Sequence, residues 1–120
     1  MMSVGMFTYS TRPRGSVVHA AGLAEALAGR GHDVTLYALA KPGASFFRPI
    51  RCRVELIAAG EAPADRARLV GQRVGEFIDG LRTRDREHDV FHAQDCLAAS
   101  ALLGSGLRPV VRTVQNVTEM

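Results

Sequence analysis

The sequence predicts an α/β fold: a parallel sheet of about five strands with helices flanking it. Two observations carry this. Short apolar runs bounded by turn residues recur at 3–9, 33–40, 54–59, 89–93 and 109–114, as strands buried on both faces do. Near 16–30, 65–81 and 95–103 the apolar residues return instead at helical period. Strands alternating with helices make crossover units, and crossover units make parallel sheets.

The first strand, residues 3–9, leads through a loop containing Gly15 into a helix from Ser16 to Arg30. Val17, Ala20, Ala21, Ala24, Leu27 and Ala28 form its apolar stripe, Ser16 is the expected N-cap, and Gly31 ends it. Asp33–Ala40 is a second strand with β-branched and aromatic content, broken by Pro42-Gly43. A loop through Phe46, Phe47 and Pro49, with no evident helix, leads to a third strand at Val54–Ala59. In the next helix Val70, Val74, Phe77, Ile78 and Leu81 make the stripe, and glycines at 71, 75 and 80 leave its stability to tertiary packing. Asp89–Ala93 is a fourth strand, Asp95 caps a helix to Leu103, and Pro109–Val114 is a fifth strand. The whole reads as a Rossmann-like layer filling a single domain over residues 1–120.

Composition excludes several classes. A hydrophobic fraction of 47% with 22% charged residues is that of a globular chain, and no apolar run reaches the roughly 18 residues a membrane span needs. The net charge is +3, and the basic residues are arginines apart from Lys41. Clusters at Arg48, Arg51, Arg53 and at Arg66, Arg68, Arg73 have acids nearby and no interleaved aromatics, so nucleic acid is not an expected partner. A solvated face explains them, with an anionic ligand or lipid-headgroup surface as the functional alternative. Cys52 and Cys96 have neither CxxC spacing nor a histidine pair, which implies reduced thiols, no metal and a cytoplasmic setting.

The candidate chemistry gathers where parallel strands end. Gly15-Ser16 heads the first helix, whose unpaired N–H groups suit an anion or a sugar hydroxyl; the bland reading is a glycine that permits the turn. The dinucleotide fingerprint is missing, and the second strand runs into Ala40-Lys41 rather than an acid, which argues against NAD and leaves NADP a remote alternative. His92 closes the fourth strand beside Gln94 and Asp95 and can position a substrate or act as a base; a core histidine bonded to backbone is the alternative. His19, on the first turn of the first helix, either faces the same edge or is a partly exposed helix residue, and His32 and His88 are read as loop residues without a role. Arg112 is either paired, with Asp95 as one partner, or an edge-strand arginine reaching solvent. Gln115-Asn116 falls at the end of the fifth strand. Polar groups on one rim of a parallel sheet make a small-molecule site.

Three runs in order carry a resemblance: Leu23-Ala-Glu-Ala-Leu-Ala-Gly-Arg-Gly-His-Asp-Val-Thr35, Asp89-Val-Phe-His-Ala-Gln-Asp95 and Arg112-Thr-Val-Gln-Asn116. With them the chain resembles the N-terminal domain of a retaining, GT-B-fold glycosyltransferase of family 4, over essentially its whole length. The resemblance implies transfer of a sugar from a nucleotide-sugar donor to a small-molecule, lipid or glycan acceptor, without a metal or other cofactor. It implies that this half binds the acceptor, and that Gly15, Ser16, His92, Gln115 and Asn116 line the cleft. Two departures stand out: Gln115 occupies the place of a histidine that contacts the transferred sugar, and the loop has one glycine before Ser16 where many relatives have two. The family's nucleotide is held mainly by a C-terminal domain with no counterpart here, so a truncated chain, inactive alone, is expected, cytoplasmic or peripheral at the inner membrane face. A stand-alone flavodoxin-like binding or regulatory module is the alternative.

Overall fold

The computed structural model describes residues 1–84 and 87–113. Its strands are β1 (Ser3–Thr8), β2 (Asp33–Ala40), β3 (Arg53–Ala58), β4 (Val90–Ala93) and β5 (Val110–Arg112). Its helices are α1 (Gly15–Gly29), α2 (Arg66–Arg82) and α3 (Cys96–Gly104). The strands form one all-parallel sheet in the order β3-β2-β1-β4-β5, the α/β arrangement expected. The order reverses between β1 and β4, so the crevice above their carboxyl ends is the sheet's topological switch point.

Alternation along the strands divides the core in two. Val4 and Met6 of β1 and Val34 and Leu36 of β2 face α1, meeting its Ala20, Ala21 and Ala24. The small side chains of α1 let it lie close to the sheet. On the opposite face Phe7, Tyr37 and Ile57 meet Phe77 of α2 and Ala98, Ala101 and Leu102 of α3. Phe7 stacks on Tyr37 with ring centroids 4.4 Å apart and meets the Phe77 ring edge-on at 6.2 Å. Burial of a side chain the size of Phe77 contributes about 1.5–3 kcal/mol, enough to offset the three glycines of α2.

No helix joins β2 to β3, as the sequence suggests, and the loop at 41–52 does a helix's work. Its Phe46, Ile50 and Cys52 cover the α1 face beside Leu36. Arg48 holds it there by donating both Nη atoms to the two Glu25 carboxylate oxygens at 2.8 Å, and the Arg51 amide adds a third bond at 2.8 Å.

Three expectations change. Ser16 is not the N-cap of α1: the helix starts at Gly15, and Arg14 occupies the cap in an extended conformation without a side-chain cap bond. Val70 does not join the core with the rest of its stripe; it is 52% exposed, one turn from where α2 meets the sheet. His88 is structural. Its Nδ1 lies 2.9 Å from Ser3 Oγ and its Nε2 2.6 Å from Tyr37 Oη, and its ring sits edge-on to Phe91. Gly5 makes room for that ring, since a Cβ there would stand 2.8 Å from His88 Cδ2.

Candidate functional site

Because all strands run the same way, the segments after β1, β2, β3 and β4 converge on one edge. The β1–α1 loop is held by its own backbone and by the neighbouring loop. Ser10 Oγ accepts the Arg12 amide at 3.1 Å, the Arg14 amide donates to Arg12 O at 2.7 Å, and the Phe47 amide donates to Thr11 O at 3.0 Å. This loop divides the edge into two zones.

The first zone lies on the α1 side. The first turn of α1 has neither a side-chain cap nor an acidic residue. Gly15 does not need its freedom for the turn: its φ is not positive, and a Cβ there would meet nothing within 4 Å. The space over it is open. His92 pairs in register with Met6, which places its side chain on the α1 face. Its Nε2 lies 2.6 Å from Thr113 Oγ1 at the end of β5. Burial lowers the His92 pKa, and the nearby charge of His19 on α1 lowers it further, so the ring is neutral at neutral pH. Gly15, Ser16 and His92 therefore flank the same side of the edge. Gln115 and Asn116 lie outside the described residues, as does Val114.

Asp95 and Gln94 occupy the switch point between the zones. The Gln94 amide donates to Phe7 O at 2.9 Å and its buried side chain approaches Met6 Sδ at 3.1 Å. Asp95 caps α3 by accepting from the Ala98 amide at 2.7 Å, and its second oxygen accepts from the Tyr9 amide at 3.0 Å and Thr8 Oγ1 at 3.4 Å. Burial pushes its carboxyl pKa up despite these donors and the charge of Arg112. Arg112 is the edge-strand arginine of the two readings: it is exposed, its Nη2 reaches Cys96 Sγ at 2.7 Å, and it forms no salt bridge among the described residues.

The second zone is a cavity of about 440 Å³ on the α2 side, above the ends of β1, β2 and β3. Leu39, Ala40, Ala59 and Leu97 form its apolar part, and Arg12, Arg14, Lys41 and Arg66 stand around it. Of the residues expected to line the site, the three that are described, Gly15, Ser16 and His92, do not belong to its lining. In the sequence Arg66 was visible within the cluster of Arg66, Arg68 and Arg73 and Lys41 as the residue after the second strand, while Arg12 and Arg14 were not singled out. Arg12, Arg14 and Lys41 each follow a strand's carboxyl end, and that position is the signal that could have singled them out.

Among the described residues no group of three or more His, Cys, Asp or Glu side chains is arranged to hold a metal ion, and no helix is long and apolar enough to cross a membrane. Compared with curated proteins, the chain matches none. The model of one family does match: residues 14–119 fit the glycosyl transferase 4-like domain, and the chain, with its parallel sheet of Rossmann-like type, belongs to that family as an N-terminal domain of a family 4 glycosyltransferase.

Proposed function

We propose that this chain is the acceptor-binding half of an enzyme that transfers a sugar from a nucleotide-sugar donor, completed by a second α/β domain that holds the nucleotide. The observation that carries the reading is the uncapped first turn of α1 under open space at Gly15, with His92 on the same face of the sheet. Free N–H groups and the helix dipole stabilise negative charge, and a departing nucleoside diphosphate develops such charge in the transition state. A neutral imidazole beside it orients sugar hydroxyls by hydrogen bonding rather than attracting the phosphates. Gln115 and Asn116 complete the cleft in this proposal, with Gln115 donating and accepting hydrogen bonds but carrying no proton. The donor is a substrate, the proposal assigns no metal or other cofactor, and the chain works in the cytoplasm.

Gly15→Val tests this. A Cβ at this position meets nothing within 4 Å, and the valine methyls beyond it would occupy the space proposed for the donor. In the two-domain protein, nucleotide-sugar turnover should fall at least about tenfold, a barrier increase of about 1.4 kcal/mol, while the thermal midpoint changes little. Unchanged turnover would remove the first turn of α1 from the reaction.

A further inference from the structure

The cavity on the α2 side has a chemical bias that the transfer reaction by itself does not require. Four cationic side chains stand around it: Arg12 and Arg14 from the β1–α1 loop, Lys41 after β2, and Arg66 at the start of α2. Among the described residues no aspartate or glutamate lines it. Elsewhere arginines near the sheet are neutralised in place: Arg48 on Glu25 at 2.8 Å, Arg84 on Glu55 at 3.1 Å. Arg73, which also reaches the cavity, is held by Glu76 at 2.7 Å and by Gly60 O at 2.8 Å. The other four make no ion pair or side-chain hydrogen bond among the described residues. Four like charges converging on one concavity repel one another and concentrate anions there. The cavity's apolar part, Leu39, Ala59 and Leu97, offers a surface for the uncharged body of the same ligand.

We infer that this cavity is a phosphate-recognising subsite for the acceptor: Arg12, Arg14, Lys41 and Arg66 grip a phosphate group, and the rest of the acceptor lies along Leu39, Ala59 and Leu97. The word acceptor rests on the function proposed above; the anion preference rests on the cavity alone. The arginines suit the role because their planar forks meet phosphate oxygens in pairs. The phosphate belongs either to a soluble sugar phosphate or to a lipid headgroup.

Two probes separate these sources. Glucose 6-phosphate is titrated into the isotopically labelled chain and followed by amide chemical shifts, with glucose as the uncharged control. Vesicles of phosphatidylglycerol are compared with vesicles of phosphatidylcholine by cosedimentation. Glucose 6-phosphate should shift the amides of 9–12, 14, 40–41 and 66–70 while glucose does not, or phosphatidylglycerol vesicles alone should retain the chain. Whichever source binds, Arg14→Ala with Arg66→Ala should weaken it at least tenfold, and so should added salt. Arg68→Ala, on the same helix but outside the lining, should change it less than twofold. Binding of neither phosphate probe, or binding indifferent to the Arg14 and Arg66 changes, overturns the inference. In the two-domain protein, sugar transfer to neutral acceptors with KM unmoved by the double variant also overturns it, with the transferase reading intact. Phosphate binding that persists where no sugar is transferred sinks that reading instead.

Discussion

Asp95 Oδ2 accepts the backbone amide of Tyr9 at 3.0 Å, joining residues 86 apart in sequence where the strand order turns from β1 to β4. Its other oxygen caps α3. One carboxylate thus fixes both the start of the β1–α1 loop and the start of α3, the elements that carry Tyr9 and Leu97 to the cavity.

Asp95→Ala leaves the Tyr9 and Ala98 amides without their acceptors, and we expect a loss of about 2–3 kcal/mol in urea unfolding. Asp95→Asn keeps one oxygen for the cap and should cost about 1 kcal/mol. Burial raises the Asp95 pKa, so the native state holds this proton more tightly than the unfolded chain does. Its contribution therefore weakens as pH rises through the window between the ordinary carboxylate value and the raised one. That pH component should disappear in Asp95→Asn. An alanine variant as stable as the parent would show that the bridge is idle.

Glu25 has the opposite sign. The Arg48 hydrogen bonds, with the Arg51 amide next, hold its carboxyl down at about 2 against an ordinary 4.5. Stability from this group is fully present above about 4.5 and is lost as pH falls through 2. Glu25→Gln should destabilise the chain at pH 7 by on the order of 1 kcal/mol, discounted because the Arg48 side chain is partly open to solvent. It should also flatten the acid limb of the stability profile. An acid limb of equal steepness in the variant would place the acid sensitivity elsewhere.

Most of the architecture was legible in the sequence because it rests on periodicity. β2 was bounded to the residue, Asp95 caps α3 as expected, and Asp65, the expected start of α2, proves to be its cap, each acid accepting from an amide in the first turn. The misses come from contacts that no local pattern encodes. Ser16 has the right side chain for a cap, but the chain turns helical one residue earlier, after Arg14. His88 looks like a loop residue because its partners, Ser3 and Tyr37, are 85 and 51 positions away. Of the candidate site, Gly15 and His92 fall on one side of the edge, whereas the basic cavity is assembled from two loops and the start of α2, whose meeting the strand order dictates.

The packing of His88 against Gly5 predicts an unusually costly glycine-to-alanine change. Alanine has the higher strand propensity, yet its Cβ would press on His88 Cδ2 at 2.8 Å and on the Phe7 ring at 3.0 Å. Both rings are held, His88 by Ser3 and Tyr37 and Phe7 by its stack on Tyr37, so neither yields cheaply. Gly5→Ala should lose about 1–3 kcal/mol by overpacking. Adding His88→Ala should recover part of that loss, so the two changes are non-additive in a double-mutant cycle. Strict additivity would mean that the ring and the glycine do not constrain each other.

The neutral state assigned to His92 can be read directly. Burial lowers its pKa first and the charge of His19 second, so the native state holds fewer protons here than the unfolded chain. Stability from this site is therefore present at neutral pH and falls as pH drops from about 6.5 through the lowered value. Histidine ring resonances should titrate below 6.5 for His92. His19→Ala should raise that midpoint without restoring it fully, because burial remains. His92→Gln keeps a hydrogen-bonding group within reach of Thr113 and cannot titrate, so it should erase this part of the pH dependence. A His92 midpoint at or above 6.5 would mean that the ring meets substrate as a cation, and that it draws the donor's phosphates rather than orienting sugar hydroxyls.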